Sequence, residues 1–256
     1  MGCRAMDELS LYAVFFVTIG LNYFFALSGK GAAIFQMPVF VWLGMPINSA
    51  KSVALLANTF SLSAVTIDNF RANRLDLKLG LPVIIASFVF APVGAYMSTF
   101  IEREVVLWMF AIFLIYAGTS TLLPEKNKAK SDHDRHLMLV YLSLIGAVAG
   151  LVSGLLAVGG GGIISALMLL MGCQAKKISM ITALAVPFSS FSGFVTYAAG
   201  GHISWPVLGT VTTAALLGGY LGNKTAHSIM PDKVIKYIIG ILSLVFAIKI
   251  IFDLMS

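Results

Sequence analysis

The feature that most restricts the fold of this chain is a series of ten apolar runs separated by short polar gaps. Eight of them reach the roughly 20 residues that a helix needs to cross a bilayer. Charged residues make up only 11% of the sequence, against about 25% in a soluble domain. We therefore predict an all-α integral protein of the cell membrane with 8–10 transmembrane helices. The runs lie at about 9–27, 31–44, 48–70, 77–100, 104–123, 137–157, 160–173, 176–199, 205–228 and 233–254.

Two of the runs, 31–44 and 160–173, are too short for a perpendicular crossing, and each follows a glycine-rich break. We call residues 28–31 the first break and residues 159–162 the second break. Glycine interrupts a helix at little steric cost and lets other groups approach the backbone closely. Paired, glycine-interrupted short segments are typical of transporter binding sites. The alternative is tight helix packing through small residues, which is common in membranes.

The two halves of the chain repeat at an offset of 128 residues, which brings the two breaks into register. Examples are the pairs Gly31/Gly159, Phe60/Phe188, Ser61/Ser189 and Gly94/Gly222. The pattern predicts an internal duplication. The first transmembrane repeat is residues 1–123, a polar linker loop is 124–136 and the second repeat is 137–256, with about five hydrophobic segments in each repeat.

The distribution of Lys and Arg favours inverted repeats over parallel ones. If each short run completes a crossing, thirteen of the seventeen Lys and Arg residues fall on one side of the membrane; if each run re-enters instead, they divide nine against eight. Positive charge accumulates in cytoplasmic loops. We therefore predict a cytoplasmic linker and extracytoplasmic termini. The outer side then holds Arg4, Lys51, Arg103 and Lys249.

The helices that begin at the two breaks are predicted to direct unpaired N–H groups and positive dipole ends into one gap near the bilayer midplane, which makes an anion site. Lys30 either pairs with the anion or extends to the interface. Pro187 frees the carbonyl of Ala183, four residues earlier. The predicted substrate-binding residues are Ser28, Gly29, Lys30, Gly31, Asn58, Thr59, Gly159, Gly160, Gly161, Gly162, Ser189 and Ser190.

Several function classes are disfavoured by what the sequence lacks. It has no HExxH, GxSxG or P-loop motif, so we do not expect an enzyme. Cys3 and Cys173 are isolated, and no metal or cofactor site is predicted. The net charge of +6 is spread over gaps between apolar runs. Because no basic helix or aromatic-basic platform accompanies that charge, nucleic acid is not an expected partner.

In these features the chain resembles the TauE/SafE family of sulfite and organosulfonate transporters, over almost its whole length. The first break differs from the family's run of glycines in carrying Lys30. Besides the two breaks, the matching features are residues 43–46 (Leu-Gly-Met-Pro), 171–173 (Met-Gly-Cys), 74–76 (Arg-Leu-Asp), 202–205 (His-Ile-Ser-Trp), 94–95 (Gly-Ala) and 218–219 (Gly-Gly).

The resemblance implies a secondary transporter that moves small anions by alternating access, such as sulfite, thiosulfate, isethionate, sulfoacetate or related carboxylates. The expected partners are that anion and the lipid bilayer. Coupling to a proton or a sodium ion and assembly into a homo-oligomer stay open. Two other functions also stay open: an anion channel that uses the same helix ends, and a membrane subunit of a larger assembly.

Overall fold

The computed structural model of the chain describes residues 8–26, 31–71, 77–122, 135–171, 173, 175–200, 205–226 and 232–255. Within these ranges the chain is helical and forms no β-strand. Six helices are long and apolar enough to cross a membrane. The ten described helices are α1 (Glu8–Ala26), α2 (Ala33–Trp42), α3 (Ile47–Arg71), α4 (Leu77–Ser98), α5 (Arg103–Leu122), α6 (Arg135–Leu156), α7 (Gly161–Leu170), α8 (Ala175–Gly200), α9 (Trp205–Ala226) and α10 (Asp232–Met255).

Large apolar side chains cover the outside of this bundle. Phe16 on α1, Ile112 on α5 and Phe252 on α10 are each more than 60% exposed. Water does not tolerate an apolar surface of this extent, whereas lipid does. The prediction of an all-α, multi-pass membrane protein is confirmed.

The two short runs form helices of ten residues each, α2 and α7. Such a helix is about 15 Å long, half the thickness of the hydrocarbon core. The residues before them adopt left-handed backbone angles, with φ +78° at Gly31, +77° at Gly159 and +69° at Gly160. Glycine occupies these angles without steric cost, which explains why both helices begin where the glycines lie.

Helices α3 and α8 cross the centre of the bundle and run antiparallel. Their contacts follow each other in opposite order along the two helices. The contact pairs are Lys51 with Tyr197, Asn58 with Ser190, and Thr66 with Ala183. Residues near the middle of both helices therefore meet at the middle of the bundle.

Helices α4 and α6 run parallel and touch through glycine. A side chain added at any of three α6 glycines would collide with the α4 backbone, so the two backbones lie in direct contact. Helices α9 and α1 are parallel in the same way, with Gly218 against Ile19 and Gly222 against Tyr23. The α6 glycines and their α4 neighbours are Gly146 and Val83, Gly150 and Ser87, and Gly154 and Ala91.

One end of the bundle, which we call the Lys51 end, is where α3 begins and where α4 and α8 finish. The C-terminal part of α10 also lies there, because Trp42 at the end of α2 donates to Asp253 and stacks under Lys249. Helix α5 is antiparallel to α10, since Gly118 lies against Leu244 and Leu122 lies against Gly240. Helix α5 therefore ends, and α6 begins, at the opposite end. From the centre, α2 runs toward the Lys51 end and α7 runs away from it.

Candidate functional site

The two breaks meet at one side chain, Asn58, near the middle of α3. Asn58 is fully buried. A Cβ added at Gly31 would collide with Asn58 Oδ1, and a Cβ added at Gly159 would collide with its Nδ2. The amide of Asn58 therefore fills the space between the two breaks, which we call the central gap. It fits there only because both backbones lack a side chain.

Only one of the two polar atoms of the Asn58 amide has a hydrogen-bond partner among the described residues. Its Nδ2 donates to the hydroxyl of Ser190 on α8, at 2.9 Å. Its Oδ1 is buried and has no hydrogen-bond partner among the described residues. A buried acceptor left unpaired costs about 1–3 kcal/mol, and most buried polar atoms are paired. The central gap therefore offers a polar contact that the described residues leave unused.

Other unpaired polar atoms lie on the helices around the breaks. Both amide atoms of Gln36, in the first turn of α2, are buried without a partner in the described part of the chain. So is the hydroxyl of Ser153 on α6, which lies 3.6 Å from where a Cβ of Gly160 would stand. All such atoms among the described residues belong to α1, α2, α3 and α6; the remaining ones are Thr18 Oγ1, Asn22 Oδ1 and Ser52 Oγ.

The start of α2 receives no side-chain cap from its N-cap residue. Its N-cap residue, Ala32, makes no side-chain capping bond, and neither α2 nor α7 has an acidic residue in its first turn. The first N–H groups of a helix and its positive dipole end are normally balanced by such groups. Two helix starts without acidic residues on one buried gap leave partial positive charge there, and that charge suits an anion.

Two of the predicted hydroxyl contacts point elsewhere in this conformation. Thr59 donates to the carbonyl of Leu55 at 2.8 Å, and Ser189 donates to that of Val186 at 3.1 Å. Because each hydroxyl carries one proton, neither donates into the central gap. Ser190, which the sequence also indicated, makes the contact to Asn58 instead.

The glycines of the second break differ in what they approach. Gly159 lies against Asn58 and Gly160 lies near Ser153, whereas Gly161 is the first residue of α7. Gly162 is inside α7, and a Cβ there would meet only the ring of Phe113 at 3.7 Å. Three of the predicted site residues, Ser28, Gly29 and Lys30, lie outside the described residues.

The proline in α8 affects the same α3–α8 interface. The sequence predicts that Pro187 frees the carbonyl of Ala183. In the structure the hydroxyl of Thr66 on α3 lies 2.6 Å from that carbonyl and 2.8 Å from the carbonyl of Leu62 in its own helix, and the shorter contact makes Ala183 its main acceptor. The bond ties α3 to α8 two turns beyond Asn58. The sequence did not predict Thr66 as the partner.

Lys51 is the residue of interest that the sequence reasoning missed. The charge count grouped it with the cations of the outer side, but the structure places it inside α3, 1% exposed. Its Nζ lies 2.6 Å from Ser98 Oγ and 5.5 Å from the centre of the Tyr197 ring. A lysine inside the apolar run 48–70 was the available signal, since intramembrane charges are rare.

Comparison with known proteins places the chain among membrane transporters. The sequence profile of a family described as Sulfite exporter TauE/SafE matches residues 14–250. "Probable membrane transporter protein YunE" of Bacillus subtilis is 26% identical over 253 residues, 89% of this chain and 92% of that protein. "Probable membrane transporter protein MJ0441" of Methanocaldococcus jannaschii is 23% identical over 239 residues, 86% of this chain and 88% of that protein. No solved structure matches the chain.

Proposed function

The chain belongs to the sulfite exporter TauE/SafE family, and we propose that it carries a small organic or sulfur oxyanion across the membrane by alternating access. Because the family and the relatives are named as transporters, the chain is a multi-pass membrane transporter and not an enzyme. The proposal concerns the substrate class, which is sulfite-, sulfonate- or thiosulfate-like, and the mechanism. The main observation that supports the proposal is that the starts of α2 and α7 meet at Asn58.

The central gap has the chemistry of an oxyanion site. Helices α2 and α7 each contribute about half a positive charge at their starts, and no acid of their first turns opposes it. Asn58 Nδ2 and Ser190 Oγ add neutral donors. A sulfonate or sulfite group has several oxygens directed apart from one another. Such a group can accept from both helix starts and from a side-chain donor at once.

Asn58 explains how the gap is filled when no anion occupies it. Its Oδ1 lies against Gly31 of the first break and accepts no hydrogen bond from the described residues, so an amide oxygen takes up space that a substrate oxygen could use. Binding then exchanges Oδ1 for a substrate oxygen, and the asparagine side chain moves aside. The unpaired state of Oδ1 lowers the cost of that exchange, because few hydrogen bonds are lost.

The proposed repeats are inverted, related by a two-fold axis in the membrane plane. An axis along the membrane normal would leave equivalent helices parallel, whereas an in-plane axis reverses them. The offset of 128 makes α3 equivalent to α8 and α5 equivalent to α10, and both pairs run antiparallel. The opposite directions of α2 and α7 give further support. The same axis places both termini opposite the linker.

Transport by the purified chain tests the proposal directly. Proteoliposomes are loaded with one of five anions (sulfite, thiosulfate, isethionate, sulfoacetate or acetate) and given the same labelled anion outside. We expect saturable uptake with counterflow for at least one sulfur oxyanion. Flux that does not saturate and shows no counterflow would identify a channel, and no flux with any anion would refute the proposal.

The orientation has a separate test by labelling. In a variant without Cys3 and Cys173, a single cysteine replaces Ser131 of the linker. We expect an impermeant maleimide to label it only after cells are permeabilised, because thirteen positive charges are predicted on the linker side. Labelling in intact cells would contradict a cytoplasmic linker.

A further inference from the structure

Lys51 is a buried cation for which the described residues provide no carboxylate partner. It is 1% exposed, and no acidic side chain of the described residues forms an ion pair with it. The hydroxyl of Ser98 accepts one of its three N–H groups. A charge held within a membrane protein is expensive, and such charges usually serve an ion or substrate pathway.

The surroundings of Lys51 explain how the fold keeps it there. Helix α4 ends at Ser98, beside the ammonium group. Helix α6 ends two residues after Gly154, whose carbonyl accepts from the Tyr197 hydroxyl at 2.7 Å. Helix α8 ends three residues after Tyr197. Three helix C-termini, each with partial negative charge, therefore approach Lys51. They make its burial tolerable but supply no full counter-charge.

Lys51 also lies on the same face of α3 as the central gap. It precedes Asn58 by seven residues, which is two helical turns and about 10.5 Å. Both residues contact α8. Between them lies a small cluster of buried apolar residues that we call the apolar layer. It consists of Leu55, Ala95, Ala157 and the ring of Tyr197.

The position of Lys51 is occupied by a lysine in the first repeat only. At the offset of 128, the equivalent of Lys51 is Ser179, and the equivalents of Ser98 and Tyr197 are Ala226 and Asn69. The two repeats therefore match in their breaks but not here. A lysine at this position in one repeat only suits a role that differs between the two sides of the membrane.

We propose that Lys51 is an anion-binding residue of its own, which holds a small oxyanion at the Lys51 end before the anion crosses the apolar layer to the central gap. The inference rests on the proposed function and extends it. In this structure Leu55, Ala95, Ala157 and Tyr197 of the apolar layer are buried against one another. An anion at Lys51 would supply the full negative charge that the helix C-termini lack and would use the remaining N–H donors of the ammonium group.

Three variants in proteoliposomes test this role with the five anions named above. Lys51→Met removes the charge and keeps the side-chain length, Lys51→Arg keeps the charge, and Lys249→Met removes an exposed charge at the same end. For the anion that the parent transports best, we expect Lys51→Met to raise KM about tenfold or more, because a charged hydrogen bond is lost. We expect the KM of Lys51→Arg to stay within about threefold of the parent's KM, and the KM of Lys249→Met to equal it.

Competition with chloride separates binding from a structural role. Chloride should raise the KM of the parent but affect Lys51→Met much less, because the charge it competes for is gone. Lys51→Gln replaces Lys51→Met if the latter does not purify. An unchanged KM in the uncharged variant refutes this inference alone. The inference is also refuted if Lys51→Arg raises the KM as much as Lys51→Met does and also lowers the midpoint of thermal unfolding. Absence of transport by the parent with all five anions refutes the proposed function as well.

Discussion

Replacing Asn58 by Leu should stabilise the protein and abolish its transport. The variant loses the bond to Ser190, worth about 0.5–1.5 kcal/mol, and removes the unpaired buried Oδ1, which costs about 1–3 kcal/mol. The hydroxyl of Ser190 can turn to a carbonyl of its own helix, as Ser189 and Ser192 do. The net gain is up to about 2.5 kcal/mol. At about 2–4 °C per kcal/mol, the unfolding midpoint rises by several degrees.

The same substitution removes what an anion needs. Leucine has a similar volume, so the central gap stays filled, but it provides neither an amide donor nor a polar atom that a substrate oxygen can replace. The variant loses one hydrogen-bond donor and places an apolar side chain against the starts of α2 and α7. Together these changes should weaken anion binding about a hundredfold or more. Counterflow should then fall below detection at anion concentrations that saturate the parent.

Asn22 provides the matched control. It is also fully buried with an unpaired Oδ1, but its Nδ2 donates within α1 to Thr18, and it lies beside Gly218 in the α1–α9 interface. Asn22→Leu should change stability in the same direction and keep transport. Thermal unfolding in detergent and counterflow in proteoliposomes measure both effects. Parent-like transport by Asn58→Leu, or a loss of stability above about 2 kcal/mol confined to that variant, would refute the reasoning.

Three further substitutions test the surrounding structure by thermal unfolding and counterflow. Gly159→Ala forces a side chain into a left-handed backbone and against the amide of Asn58. It should lower the stability by about 2–3 kcal/mol and remove most of the transport activity. The control Gly162→Ala should change stability and transport little. Gly154→Ala pushes α6 off the α4 backbone and should cost about 3 kcal/mol or more, and a parent-like midpoint would contradict that contact. Thr66→Val leaves the carbonyl freed by the α8 proline unpaired and should cost about 1–3 kcal/mol, against about 0.5 or less for the exposed Thr119→Val.

The features that the sequence predicted well are those that depend on local composition. Run length and apolarity predict membrane helices because each helix must satisfy its own backbone bonds in lipid. Glycine predicts the two breaks because positive φ angles favour it. The short runs 31–44 and 160–173 correspond to α2 and α7 with ends within a few residues. The inverted arrangement and the substrate residues remain predictions that transport and labelling experiments test.

The contact at the centre of the site depends on tertiary register, which repetition in the sequence does not show. At the offset of 128, Asn58 is equivalent to Val186 and Ser190 is equivalent to Leu62. The hydrogen-bonded pair therefore breaks the symmetry that identifies the repeats. The crossing of α3 and α8 brings the two residues together, and that crossing is set by packing along both helices. The same holds for Lys51, whose burial results from three helix ends that are distant in sequence.

The helices of the two halves are interleaved, and this limits how the bundle can move. Helix α4 of the first half packs on α6 and α8 of the second, and α9 of the second half packs on α1 and α3 of the first. Swinging one half of the sequence against the other would pull apart the glycine-lined backbone contacts. Swinging α1, α3 and α9 against α4, α6 and α8 keeps those contacts and shears mainly the α3–α8 crossing, where Asn58 lies. If the bundle moves as two parts, each part is therefore a mixed set of helices, and neither half of the sequence forms one of them alone.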